Sequence, residues 1–426
     1  MTKPSEKPAN EGDFKSTWRA FDNWWFGHGS PTTLGVFRIF TGILAFADFW
    51  LIGLHWESWF GEKGYVPAWM GQMWLNPNLK LWFTGDATIP RLDLLNGVTD
   101  PRVTIPFFIG CMVFAVLTAL GIATRFTSIC LAIGMISVQH RNAVILHGGD
   151  SVVRLACIYT AVAPSGLACS LDRLIGLWKG KISPDPVRIS LWPQRLIAFN
   201  VALIYFTTIW LKWDGARWRE GIATYFPARM AEFYRFPYPR FVNNFPFVYI
   251  TTYGTLLVEF AMGTLVFFRP LRKYVLPMGI MMHAWIEYAM NIPLFSFLMI
   301  SSYISFYDGD EIEGWAARVG KRLARRHVTV RYPSGMRLKS SARAFLEAID
   351  PFHLVTYEAS ASSDWEASSA SGPLKPSRAI ATRSVGAYIF GWLPGIWPRI
   401  LGNSLEPAYT GSVFPSEPAN KQKSSK

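Results

Sequence analysis

The sequence predicts an all-α polytopic membrane protein of about eight transmembrane helices, followed by a small soluble C-terminal segment of α/β character. Three observations predict it. Residues 104–123, TIPFFIGCMVFAVLTALGIA, run for twenty residues without a charge. At about 1.5 Å per residue, that length crosses a hydrocarbon core of roughly 30 Å. Further runs of this kind follow up to residue 307. The chain is 50% hydrophobic with a mean hydropathy of +0.18, yet the apolar residues concentrate between about 32 and 307 and both ends are polar. The runs are apolar all round rather than along one stripe, which fits burial in lipid better than the surface of a soluble domain.

Residues 1–30 read as a polar tail without the apolar region and cleavage site of a signal peptide, so the first span is expected to act as an uncleaved insertion signal. Spans are expected near 32–54, 104–123, 126–146, 151–171, 193–212, 246–268, 271–290 and 292–307. The third turns polar at Gln139-His140-Arg141-Asn142, and Pro293 kinks or divides the last two. An even number of crossings puts both termini on one side. Arg125, Arg173, Lys179, Lys181, Arg188, Arg269, Arg272 and Lys273 make that side the cytoplasm. On the outer side, 55–103 and 213–245 are dense in Trp, Pro and other aromatics and read as folded caps at the interface. The transmembrane domain is thus 31–307. Residues 308–358 read as strand–helix–strand through HVTVRY, KSSARAFLEAID and LVTYEA. Residues 359–426 read as a Ser/Ala-rich linker, an aromatic docking segment at 386–401 and a mostly disordered tail.

The net charge of +13 would suggest nucleic acid in a soluble protein. Here the surplus lies in short loops and just beyond the last span, at Lys321, Arg322, Arg325 and Arg326. Orientation and anionic lipid account for it, so membrane lipids and not nucleic acid are the expected partners. Cys111, Cys130, Cys157 and Cys169 all fall in expected spans and form no CxxC pair, so no metal is expected and they read as small buried hydrophobes.

Ionisable residues inside spans are costly and are therefore candidates for chemistry. They are Arg38 and Asp48 in the first span, His147 at the third–fourth junction, Arg154 in the fourth, Lys212 ending the fifth, Glu259 in the sixth, and His283 with Glu287 in the seventh. His283 and Glu287 are i and i+4, on one helix face, where they either relay a proton or hold neighbouring helices. Asn142, His147, Gly148, Gly149 and Asp150 form the densest polar cluster, in which Asp150 also suits the start of the next helix. Lys212 either snorkels to the interface or sits desolvated in a cavity, where an amine becomes a usable base.

The segments SPTTLGVFRIFTGIL, WFGEKGYVP, RNAVILHGGDSVVRLACIYTAVAPSGLACSLDRL and LIYFTTIWLKWDGARWREGIATYF resemble the HTTM (horizontally transferred transmembrane) family, bacterial relatives of vitamin K-dependent gamma-carboxylase. Glu259, His283 and Glu287 echo the late acidic and histidine-bearing helices of that family. The resemblance covers about residues 30–307. It implies a reduced, vitamin K-like quinone as cofactor. In the carboxylase this cofactor reacts with oxygen to give a strong base, which takes a proton from a glutamate before carbon dioxide adds. By this resemblance Lys212 is the catalytic base, with His147, His283 and Glu287 also in catalytic positions. Arg38, Asn142, Glu259 and Trp218 fall to cofactor binding. The spacing from Lys212 to Trp218 is one residue longer than in the animal enzyme, and Asn142 and His147 are not adjacent as the corresponding pair is there. No counterpart of the large extramembrane domain that holds the animal enzyme's client is expected in residues 308–426, so carboxylation of a client of that kind is not expected. Residues 308–358 resemble a degenerate thioredoxin-like DCC domain, with Met336 and Lys339 where its cysteines would fall. The resemblance implies the bacterial plasma membrane. Its alternative reading is a non-catalytic protein, like the sporulation-delaying protein B group, for maturation, export or immunity of a peptide partner.

Overall fold

A computed structural model describes residues 11–67, 79–81, 85–87, 93–95, 98–142, 144–233, 235–237, 239–370, 372–383 and 396–408. They divide into two compact units: residues up to 175 together with 186–314, and 176–185 together with 315 onward.

The first unit is helical. Its helices are α1 (Glu11–Phe26), α2 (Thr32–Gly53), α3 (Pro101–Leu120), α4 (Thr124–Arg141), α5 (Gly148–Val162), α6 (Trp192–Asp214), α7 (Phe245–Gly263), α8 (Arg269–Ala289) and α9 (Phe295–Ser302), the last continued by a 3-10 turn over Tyr303–Phe306. Helices stand at each of the eight places where a span is expected, and four of them, α2, α3, α6 and α7, are long and apolar enough to cross a membrane. The others are shorter or more polar: α5 has 15 residues, and α8 begins with Arg269, Arg272 and Lys273. Outward-facing Leu211, Ile250 and Met281 are each more than 70% exposed, an apolar surface that suits lipid and not water. The protein is a multi-pass membrane protein.

Within the polar segment expected at residues 1–30, α1 occupies 11–26. Two of its aromatic residues reach the bundle: Trp24 meets Phe267 edge-on at 6.0 Å and Trp25 meets Phe199 at 6.2 Å, while Arg195 lies 5.2 Å over Trp24. Of the expected outer cap at 55–103, the described parts include a short helix at Trp56–Phe60 and a hairpin pairing Leu79–Leu81 with Gly85–Ala87; residues 68–78, 82–84, 88–92 and 96–97 lie outside the described residues.

The bundle has two halves. In one, α2 packs on α3 and α5, and α3, α4 and α5 pack in sequence; in the other, α7 packs on both α6 and α8. Helix α9 touches α2 and α5 in the first half and α6 and α8 in the second, so it joins them. Phe49, Leu131, Met135, Val153, Met262 and Val266 lie in the shared core. Gly42 sets the closest approach: a Cβ there would stand 2.6 Å from the Ala119 nitrogen and 2.7 Å from the Ala115 carbonyl. Backbones that touch this way gain dispersion where lipid supplies no hydrophobic drive. Asp100 caps the start of α3 by accepting from the Arg102 N–H at 2.8 Å, and Gly121 ends it at φ +69, with Ile122 N–H donating to the Leu117 carbonyl at 3.0 Å.

Immediately after the last span, an acidic segment clasps the basic helix ends. Asp308 accepts from Arg195 at 2.6 Å, from Arg269 at 3.1 Å and from Gln194 at 3.2 Å. Glu311 pairs with Arg272 at 3.3 Å, Asp310 with Arg188 at 2.7 Å, and Glu313 accepts from the hydroxyls of Ser30 and Thr32, each at 2.5 Å. Several of the arginines on which the expected orientation rests are therefore also bound by carboxylates of 308–313.

The second unit is built on a mixed four-stranded sheet. Its strands are β1 (Val328–Tyr332), β2 (Met336–Leu338), β3 (Val355–Ala359), β4 (Glu366–Ser369), β5 (Gly372–Leu374) and β6 (Leu405–Pro407). The sheet order is β3-β1-β4-β5, with β1 and β3 parallel and the other pairings antiparallel, while β2 pairs separately with β6. Helix α10 (Ser340–Ala348) connects β1 to its parallel neighbour β3, the connection a parallel pair requires. Val328, Val330, Leu346, Leu354 and Ala367 form its core. The strand–helix–strand expectation for 308–358 corresponds to β1, α10 and β3, but the linker expected from residue 359 onward is wrong where β4 and β5 lie. Small residues enter that sheet because Val328↔Ser369 and Val330↔Ala367 need little space across the strands. Met336 lies in β2 and Lys339 caps α10, its ammonium donating to the Asn403 carbonyl at 2.9 Å. Part of the expected docking segment, 386–395, lies outside the described residues; Ile396–Asn403 is helical.

Candidate functional site

Helix α6 carries Tyr205, Thr208 and Lys212 at i, i+3 and i+7, which places them along one face. Lys212 lies in the last turn, where the carbonyl end of the helix favours a cation. Its ammonium donates to Oε1 of Glu259 from α7 in a short contact, and the Thr208 hydroxyl donates to the other carboxylate oxygen at 3.3 Å. Gly215 then turns the chain into a short helix at Ala216–Arg219, which brings the Trp218 ring centre to 5.4 Å from the Lys212 nitrogen. The Lys212 side chain is 26% exposed and that of Glu259 7%. The ammonium is thus held on a buried carboxylate while part of the lysine side chain stays open.

One step along the same face begins a second polar chain. The Tyr205 hydroxyl lies 2.6 Å from Nε2 of His283 on α8 and 2.6 Å from the hydroxyl of Tyr303 beyond α9. Nδ1 of His283 is buried with no hydrogen-bond partner among the described residues. Two proton orders are open to this chain. If Tyr303 donates to Tyr205 and Tyr205 to Nε2, one polar group, the Nδ1 N–H, stays unpaired; the reverse order strands both Nδ1 and the Tyr303 proton, so the first is the more economical. Phe295 packs edge-on against the His283 imidazole at 5.4 Å.

The structure does not bring the other expected residues here. His283 and Glu287 share a helix but not a network. Glu287 lies one turn nearer the helix end, where Arg235 of the 213–245 cap forms an ion pair with its carboxylate and also donates to its backbone carbonyl at 3.0 Å. His283 is therefore hydrogen-bonded to Tyr205 and not to Glu287. His147 caps α5: its Nδ1 accepts from the Gly149 N–H at 2.8 Å while Asp150 accepts from the His147 N–H at 2.5 Å. A ring nitrogen used in this way is not free to serve as a base. Asn142 donates to the Trp59 carbonyl at 2.9 Å and accepts from the Val144 N–H at 3.1 Å, which ties the end of α4 to the 55–67 segment. Arg38 is fully buried and donates to the Cys169 carbonyl at 2.5 Å. None of these three shares a hydrogen bond with Lys212, Glu259, Tyr205 or His283, although the Gly148–Gly149 turn packs on Phe295. Sequence reading missed Tyr205, Thr208 and Tyr303; the spacing of Tyr205 and Thr208 from Lys212 was the available signal. No group of three or more His, Cys, Asp or Glu side chains among the described residues could hold a metal ion.

Fold and site together define a multi-pass helical membrane protein with a charged pair and a tyrosine–histidine chain set between its helices. The HTTM domain profile matches residues 28–310, well over half of the chain, and the chain belongs to the HTTM domain family. That family is related to gamma-carboxylase. No curated protein and no solved structure matched the chain.

Proposed function

We propose that this chain is a membrane enzyme related to the gamma-carboxylases, in which Lys212 and Glu259 handle a proton beside a lipid-soluble, quinone-like cofactor. The observation that carries the reading is the desolvated Lys212–Glu259 pair, closed by Trp218 and adjacent to the Tyr303–Tyr205–His283 chain. A pair of this kind can keep its proton on nitrogen or on oxygen with little cost, because neither form is strongly solvated. Thr208 holds the second oxygen of Glu259 and keeps the first on the lysine. Lys212 accepts or returns a proton at Nζ, and Glu259 is its exchange partner.

The residues fit a quinone. A flat aromatic ring with carbonyl acceptors suits the unpaired Nδ1 N–H of His283 and the aromatic faces of Phe295 and Trp218. When bound, the reduced quinone would supply, with oxygen, the strong base of the carboxylase reaction. Tyr205 and Tyr303 hold the histidine in the tautomer that donates from Nδ1. The basic residues at the loops of 124–125, 171–188 and 269–273 favour an orientation with both termini in the cytoplasm, and the family favours a bacterial plasma membrane.

The test is mass spectrometry of lipids and cofactors extracted from the protein purified out of native membranes. The expected result is a stoichiometric quinone, lost in His283→Ala while the thermal transition persists. Phospholipid alone, in both proteins, would contradict the reading and favour the role in maturation, export or immunity of a peptide partner.

A further inference from the structure

The second unit holds a cleft that the proposed chemistry does not use. It is lined by Arg326, Leu374, Arg378, Thr382 and Arg383, with a volume of about 370 Å³. Leu374 ends strand β5, and the short helix Pro376–Ala381 brings the other residues round to the segment before β1. The Arg383 Nε donates to the Arg326 carbonyl at 3.0 Å, and its Nη1 donates to the Thr382 hydroxyl at 2.5 Å. Thr382 is itself held by donating to the Arg378 carbonyl at 2.8 Å. The Arg383 guanidinium and the Thr382 hydroxyl are therefore fixed on the backbone of Arg326 and Arg378, whose own guanidinium groups line the same cleft. None of the three guanidinium groups forms an ion pair with a carboxylate among the described residues, although Arg331, Arg337 and Arg343 of the same unit each do.

Like charges gathered without a counter-charge repel, and their mutual repulsion is an electrostatic cost that an anion would remove. Burial, and then the facing Arg326, lower the Arg383 guanidinium from its ordinary value. Three planar forks around one small space match the oxygens of a phosphate group better than those of a single carboxylate. Lys321, Arg322 and Arg325, just before Arg326, add to the positive field.

We infer that the cleft between Arg326, Arg378 and Arg383 is a phosphate-binding site, taking either the headgroup of an anionic phospholipid or a dissolved phosphate. It is independent of the Lys212 site and of the reading given to it.

Hydrogen–deuterium exchange on the full chain in lipid nanodiscs tests this. One arm adds inorganic phosphate to protein in phosphatidylcholine discs; the other replaces part of the phosphatidylcholine with phosphatidylglycerol. Slowed exchange over residues 374–383 in the first arm supports a dissolved phosphate, and slowed exchange only in the second supports a headgroup. The double variant Arg378→Gln/Arg383→Gln should weaken the effect about tenfold or more, as the loss of charged hydrogen bonds requires, with unchanged exchange over β1 showing that the sheet is intact. Raised salt should weaken it as well. No protection of 374–383 in either arm, or equal protection in the double variant, would overturn the inference.

Discussion

At the scale of single residues, the buried pair dominates. Lys212→Met leaves the Glu259 carboxylate, 7% exposed, without its cation. Breaking a buried pair in this way costs about 3 kcal/mol, here at the low end because Lys212 is partly open. A lower thermal midpoint is expected for Lys212→Met and for Glu259→Leu singly. The double variant should recover much of the loss, since an apolar pair restores packing without charge. Two separate, additive losses in thermal denaturation would show that the ammonium and carboxylate do not depend on each other. Tyr205→Phe should cost about 1–3 kcal/mol, because it leaves both Nε2 of His283 and the Tyr303 hydroxyl without a partner. If its thermal midpoint equals that of the parent, the Tyr303–Tyr205–His283 chain does not hold these helices together. Lys212 and Glu259 were legible in the sequence because charge inside an apolar run has to be explained. Tyr205 and Tyr303 were not, since tyrosine in a span reads as an interface anchor.

At the scale of helices and turns, spacing alone misled where the element ended sooner than its periodicity. His283 and Glu287 do share a face of α8, but one turn of about 5.4 Å carries the second to the cap and to Arg235. His147 and Asp150 likewise read as chemistry or as a cap, and the α5 start uses both for capping. His147→Ala should therefore cost about 0.5–2 kcal/mol of stability and leave quinone retention unchanged; loss of the quinone with stability intact would return His147 to the site. Gly121→Ala should be more harmful than its size suggests. The φ of +69 strains any L side chain, and the new Cβ would fall 1.7 Å from Nη1 of buried Arg38. Impaired membrane insertion or a lowered thermal midpoint is expected, and parent-like stability would mean that α3 does not end as described.

At the scale of the whole molecule, hydropathy located the helices because each long apolar run must become one in lipid. It could not locate the acidic clasp at 308–313, whose residues look like an ordinary polar exit from the last span. Nor could it locate β4 and β5, where Ser, Ala and Gly carry little strand propensity and depend on β1 for their place. The central claim is that Lys212 belongs to the interior of this bundle. The most direct measurement is labelling of the chain in intact cells by a membrane-impermeant amine reagent, read residue by residue by mass spectrometry. Lys212 should stay unlabelled in the parent protein and become labelled once Glu259→Gln releases it. Labelling of Lys212 in the parent, before any substitution, would contradict the account.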